Sequence, residues 1–138
     1  MAEQGCGQGR GASRAEQARR HIDDMARRYG AEIERAVAAT RTYDRAPKPA
    51  VAEPCVPAVT MTDEDTVSAV LRLGRGLASA CDLAVLDFAS FVSPGGGYDR
   101  GAWAQEEALC AESFLYNVLS EKRAWYAENR RRFVNCQL

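Results

Sequence analysis

A short apolar run, Leu83-Ala84-Val85-Leu86-Asp87-Phe88, leads within a few residues into Pro94 and three consecutive glycines, Gly95, Gly96 and Gly97. The run has strand length and lacks the 3.6-residue period of an amphipathic helix, so it predicts a buried strand. Proline removes a backbone donor and glycine relaxes the backbone, so no helix crosses residues 94–97. Gly101 closes this loop, and Ala102 to about Glu121 then predicts a long helix with Ala104, Ala108, Ala111, Leu115 and Val118 along one face. A more charged helix is expected through about Arg131, and Phe133, Val134 and Leu138 have the composition to begin another strand. The order helix, strand, glycine loop, helix, helix, strand points to the α/β class. Two strands, or three if residues 51–61 are extended, are few for a complete sheet.

The first half of the chain is simpler. Residues 1–12 are rich in Gly and Gln and read as a flexible tail. Ser13 and Glu16 have capping-box spacing, and Ile22, Met25, Tyr29, Ile33 and Val37 mark one apolar stripe of a helical lead-in spanning 13–43. Gly30 weakens its middle by up to about 1 kcal/mol relative to alanine. The opposite face carries Arg19, Arg20, Arg27 and Arg28 interleaved with acids, which describes a solvated face. Pro47, Pro49, Pro54 and Pro57 make residues 44–58 a linker or edge segment. Thr62 and Asp63 are placed to cap a further helix with Val67, Val70 and Leu71 on its apolar face, stopped by Gly74 and Gly76.

At 138 residues the chain suits one domain, expected to occupy residues 13–138. Its 18 basic and 19 acidic residues leave a net charge of −1, so no basic field draws it to a nucleic-acid duplex. No apolar run is long enough for a membrane span, and the N-terminus lacks a signal peptide's apolar core. Cys6, Cys55, Cys81, Cys110 and Cys136 are odd in number and never spaced as CxxC, which predicts reduced thiols in a cytoplasmic protein, or a nuclear one in a eukaryote. The single histidine, His21, is expected at the surface and cannot supply a His-based metal site.

The chemistry concentrates between Leu86 and Glu107. Successive glycine N–H groups can turn inward as an anion nest, and a following helix adds donors and the positive end of its dipole. No Lys-Ser/Thr follows the glycines, so this is not a Walker A loop, nor is it GxGxxG. A diphosphate site and a ligand-free turn both fit. Gln105, Glu106 and Glu107 follow at the helix start. Two adjacent carboxylates there suit either a dipole-stabilised, solvated first turn or general acid/base work.

PGGG, seven residues, then QEE resembles the signature of poly(ADP-ribose) glycohydrolases. Leu86-Asp87-Phe88-Ala89-Ser90, Gly101-Ala102, Leu109-Cys110 and Leu115-Tyr116 sharpen the resemblance to the microbial-type branch, which extends over about Thr62 to Leu138 and weakly to the first helix. The resemblance implies a macrodomain-like α/β/α sandwich preceded by an N-terminal helix. It implies hydrolysis of the ribose–ribose O-glycosidic bond of poly(ADP-ribose), releasing ADP-ribose, with ADP-ribosylated proteins as partners and neither metal nor cofactor. Carried over by residue, Gly95, Gly96 and Gly97 match the diphosphate loop. Glu107 matches the catalytic acid that protonates the leaving ribose oxygen and then activates water, and Glu106 matches the acid that positions the ribose hydroxyls. Gln105 belongs to the motif with a less defined role. Asp87 stands where many microbial-type members have Asn, although Asp occurs in the wider group. Tyr98 has two open roles, stacking on ligand or packing, and Trp103 is as suited to a surface or partner role as to substrate.

The family's catalytic domain continues past the position matching Leu138, with further strands, a second glycine-rich loop and an aromatic residue that holds the ribose. The chain is therefore expected to be an N-terminal portion of the fold: a truncated product, part of a longer gene product, or a piece completed by another segment or chain. Two alternatives carry different expectations. A binding module would hold ADP-ribose without turnover. A helical interaction protein with a vestigial macrodomain half would show no ligand-induced thermal shift.

Overall fold

The computed structural model describes residues 8–43, 56–74 and 83–134. Most of the proline segment, the tail before Gln8, Gly76, Cys6, Cys55, Cys81, Cys136 and Leu138 lie outside the described residues.

Among the described residues six helices follow one another: α1 (Gln8–Arg28), α2 (Gly30–Ala39), α3 (Thr66–Gly74), α4 (Gln105–Ala111), α5 (Leu115–Ser120) and α6 (Arg123–Val134), with a 3-10 turn at Tyr98–Arg100 between α3 and α4. The lead-in thus begins at Gln8, ahead of Ser13, and bends once. Tyr29 at φ −124°, ψ 27° separates α1 from α2 next to Gly30. Helical hydrogen bonds continue across the bend, from the Tyr29 N–H to Met25 at 2.9 Å and from the Ile33 N–H to Tyr29 at 2.9 Å. On α3 the cap is Asp65 rather than Thr62 or Asp63: its carboxylate accepts the Ser68 N–H and the Ser68 hydroxyl, each at 2.9 Å.

The α/β expectation has no strand behind it among the described residues, and the architecture there is helical. Residues 83–90 run without a ladder, and Leu86 and Phe88 are 72% and 74% exposed where a buried strand was expected. A strand exists only against a neighbour, and the described residues supply none. Residues 56–61 are likewise irregular, and Phe133 and Val134 close α6 instead of opening a strand.

The single long helix expected from Ala102 to Glu121 starts at Gln105 and breaks after Ala111. Ser113 explains the break. Its hydroxyl donates to the Leu109 carbonyl at 2.6 Å and accepts the Leu115 N–H at 3.1 Å, so one side chain ends α4 and starts α5.

The core gathers where α1 crosses the 3-10 turn. Ala18, Tyr98 and Cys110 are buried there, with Ile22, Ala111, Leu115 and Tyr116 packed around them. Asn117 of α5 donates to the Ile22 carbonyl at 3.1 Å, and the Lys122 ammonium reaches the Val37 carbonyl near the end of α2 at 3.2 Å. On the other side α6 holds the chain entering the glycines. Asn129 donates to the Phe91 carbonyl at 3.1 Å and Arg130 to the Val92 carbonyl at 2.6 Å. Among the described residues no helix is long and apolar enough to cross a membrane.

Candidate active site

The glycine turn is built by close approach. Gly95 and Gly96 have φ of 62° and 61°, the left-handed region that glycine enters without steric cost. A β-carbon on Gly95 would stand 2.6 Å from Cδ2 of Tyr116, and one on Gly97 would stand 2.7 Å from Cβ of Ala102. On Gly96 it would collide with Oε1 of Glu107 and lie 3.2 Å from Oε2 of Glu106. The glycines therefore let a turn sit directly on two carboxylates. The Gly97 N–H donates to Oε1 of Glu107 at 2.9 Å, while the Gly96 N–H closes the turn on the Ser93 carbonyl at 3.2 Å. In place of an open nest, the Gly97 N–H is met by the chain's own Glu107 side chain.

Both glutamates are buried, Glu106 to 3% exposure and Glu107 to 6%, which removes the solvated-turn reading. Oε2 of Glu106 accepts the Ser90 N–H at 2.7 Å, whereas its Oε1 is buried with no hydrogen-bond partner. Oδ1 of Asp87 is buried in the same condition. Burial pushes the Glu106 carboxyl up. The hydrogen bond from Ser90 opposes this, and the charges of Asp87 and Glu107 reinforce it. Burial also raises the Asp87 carboxyl, with the Glu107 charge adding to the effect. Asp87 and Glu106 are thus both held toward the protonated form in one partly dry place beside Glu107.

Their surroundings respond. The Cys110 thiol is pushed up to about 12, first by burial and then by the charges of Glu106, Asp87 and Glu107. The Tyr126 phenol of α6 is pushed up to about 12 by burial, then by Glu106, Asp87 and Cys110. Sequence reasoning missed Tyr126. Its signal is the i, i+3 spacing of Tyr126 and Asn129, the two buried residues of a helix whose composition is polar.

Gln105 acquires a defined contact. Its Nε2 donates to the Leu86 carbonyl and its Oε1 accepts the Phe88 N–H, both at 2.9 Å. The three consecutive side chains Gln105, Glu106 and Glu107 accordingly receive the backbone N–H groups of Phe88, Ser90 and Gly97.

Tyr98 packs. It is 5% exposed, and its hydroxyl lies 2.9 Å from Nδ1 of His21. The His21 ring stands edge-on to it with centroids 6.1 Å apart. Burial raises the Tyr98 phenol to about 12, with the Cys110 and Glu112 charges adding to the effect. His21 is therefore partly buried rather than a surface residue. Burial lowers its imidazole, opposed by Glu112 and Asp24. Trp103 is exposed, with the Arg14 guanidinium 5.8 Å from its ring centroid. It borders a cleft of 690 Å³ lined also by Asp65, Thr66, Leu71, Ala104 and Gln105. That volume lies in the range of small-molecule sites. Among the described residues no group of three His, Cys, Asp or Glu side chains is arranged to hold a metal ion.

No curated protein and no solved structure gives a significant match to the chain. The family model for the microbial-type PARG (poly(ADP-ribose) glycohydrolase) catalytic domain matches residues 15–135, a span that includes the lead-in helices as well as the glycine turn and the paired glutamates. The chain belongs to the microbial-type PARG catalytic-domain family.

Proposed function

We propose that this protein hydrolyses the ribose–ribose O-glycosidic bonds of poly(ADP-ribose) and releases ADP-ribose. The observation that carries the reading is the pair Glu106 and Glu107, buried side by side at the start of α4 and laid against a turn that only glycine can build. Family membership supports the substrate class.

In this reading the Glu107 carboxyl gives its proton to the departing ribose oxygen as the anomeric carbon gains oxocarbenium character. The resulting carboxylate then takes a proton from the water that attacks that carbon. The Gly97 N–H holds one Glu107 oxygen and leaves the other for the proton transfer. Glu106 is assigned to the ribose hydroxyls through its unpartnered Oε1. Gly95, Gly96 and Gly97 are assigned to the diphosphate, and the cleft beside Gln105 offers room for the rest of an ADP-ribose unit. The same reading seats residues 83–88 at a strand position of a macrodomain-like α/β/α sandwich, with ADP-ribosylated proteins as the carriers of the substrate.

The test compares the 138-residue chain with Glu107→Gln, which keeps an acceptor for Gly97. Poly(ADP-ribose) cleavage should fall by about 10²–10⁴-fold, the usual worth of a general acid. Calorimetric binding of ADP-ribose should persist. Cleavage unaffected by the substitution would sink the assignment, and binding without any cleavage by the unaltered chain would make the protein a reader instead.

A further inference from the structure

Three candidate features stand out from the carboxylates: the cleft beside Trp103, the exposed apolar residues of the 83–88 segment, and the double contact of Gln105. The geometry of the last carries furthest. Gln105 grips the two backbone groups that flank Asp87, the Leu86 carbonyl and the Phe88 N–H. The carbonyl requires a donor and the N–H an acceptor, so the orientation of the carboxamide is set by its partners. In a parallel sheet, one residue of the adjacent strand gives its N–H to the carbonyl of residue i−1 and takes the N–H of residue i+1. The Gln105 side chain performs both acts for i = 87.

Among the described residues, these are the hydrogen bonds made by the backbone of residues 83–89. Asp87 is the one partly buried residue of 83–89, with one carboxyl oxygen fully covered between the exposed Leu86 and Phe88.

We propose that Gln105 is a positioning residue: acting as a one-residue substitute for a neighbouring strand, it holds the backbone at Asp87 so that this carboxyl faces Glu106 and Glu107. The residue type follows from the geometry. Glutamate at 105 would keep the acceptor for Phe88 but press a third motif carboxylate against the Leu86 carbonyl, and an apolar residue would lose both contacts. The bearing of this role on catalysis rests on the glycohydrolase reading, whereas the contact does not.

The experiment is hydrogen exchange and carboxyl titration by NMR on the full chain, with Gln105→Met and Gln105→Glu. In Gln105→Met the Phe88 amide should exchange about tenfold faster, the size of one net hydrogen bond, while Ser90 and Gly97 stay protected by their glutamates. The Asp87 carboxyl should move from its raised position toward the ordinary carboxylate range. Gln105→Glu should keep Phe88 protected. Wild-type exchange at Phe88 in Gln105→Met would overturn the proposal. So would a freed Phe88 with an unaltered Asp87 titration. If Gln105→Met fails to fold, the Glu variant decides, and loss of Phe88 protection there is the overturning result. Neither readout uses turnover, so a chain that shows these shifts without cleaving poly(ADP-ribose) retires the glycohydrolase reading and leaves the positioning role standing.

Discussion

Replacing Gly96 with alanine separates the two reasons this position is glycine. The first is conformational. At φ 61° a β-carbon meets the following carbonyl, which costs roughly 1–2 kcal/mol. The stiffer unfolded chain returns about 0.4–1 kcal/mol of that. The second reason is local crowding. The new methyl would occupy the place of Oε1 of Glu107, which is buried and accepts the Gly97 N–H. Displacing that side chain breaks its hydrogen bond with Gly97 and leaves a buried polar group unsatisfied, which costs about 1.5–3 kcal/mol. Gly96→Ala should therefore destabilise the chain by about 2–4 kcal/mol in urea unfolding. Gly30→Ala is the internal control. It lies at the start of α2 with nothing within 4 Å of its β-carbon, and alanine there should add about 0.4–1 kcal/mol. A double-mutant cycle with Glu107→Ala isolates the crowding. In that background Gly96→Ala should cost only the conformational part, leaving a coupling of about 1.5–3 kcal/mol. If Gly96→Ala behaves like Gly30→Ala, or the cycle shows no coupling, the argument that the turn is glycine because it rests on Glu107 is refuted.

Two further outcomes follow from burial. Cys110 is fully buried and its thiol is raised to about 12, so iodoacetamide at pH 8 should leave it unmodified in the native chain and alkylate it in urea. Native modification at the unfolded rate would contradict the packing. The Glu106 carboxyl is raised by burial, so the folded chain holds that proton more tightly than the unfolded one. This contribution is present below the ordinary carboxylate range and is lost as pH rises through the raised native value. Glu106→Gln removes the titration. Its urea midpoint relative to wild type should climb with pH across the carboxylate range and then level, and a difference flat in pH would be the wrong result for this account.

The functional stretch was readable because it depends on local facts. Gly95 and Gly96 are permissive at any address, and Gln105, Glu106 and Glu107 share the first turn of one helix, so spacing alone brought turn and carboxylates together. The lead-in helix was readable for the same reason, although its buried residues are Ala15 and Ala18 rather than those of the apolar stripe, and its weak point at Gly30 lies beside the bend at Tyr29. Partnership was not readable. Leu83 to Phe88 has the composition of a strand, but a ladder is a property of two segments, and here a side chain from α4 stands in for the second. Ser113 sits inside an apolar period that runs on to Val118, and nothing in that period announces that its hydroxyl will close one helix and open the next. Tyr98 looked equally fit for stacking or packing because its partner, His21, belongs to a distant helix. Tyr126 was hidden because its buried neighbour one turn on is Asn129, a polar group that holds the Phe91 carbonyl, beside the exposed Arg130 that reaches the Val92 carbonyl.

The crossing of α1 over the 3-10 turn also bears on the order in which the molecule assembles. The Tyr98 hydroxyl and His21 are 77 positions apart, and the Asn117 amide and the Ile22 carbonyl are 95 apart. Contacts of that span close late, because the intervening chain must be gathered before they return any stabilisation. During synthesis α1 emerges first and waits on the order of 5–20 s at the ordinary ribosomal pace for the residues it will cover. Ala18 and Ile22 have no core to enter over that interval, and the glycine turn has no back wall until Tyr98 arrives against them. The turn is thus among the last parts of the molecule to be sealed, and the nascent lead-in helix is the surface on which a folding helper would have the longest time to act.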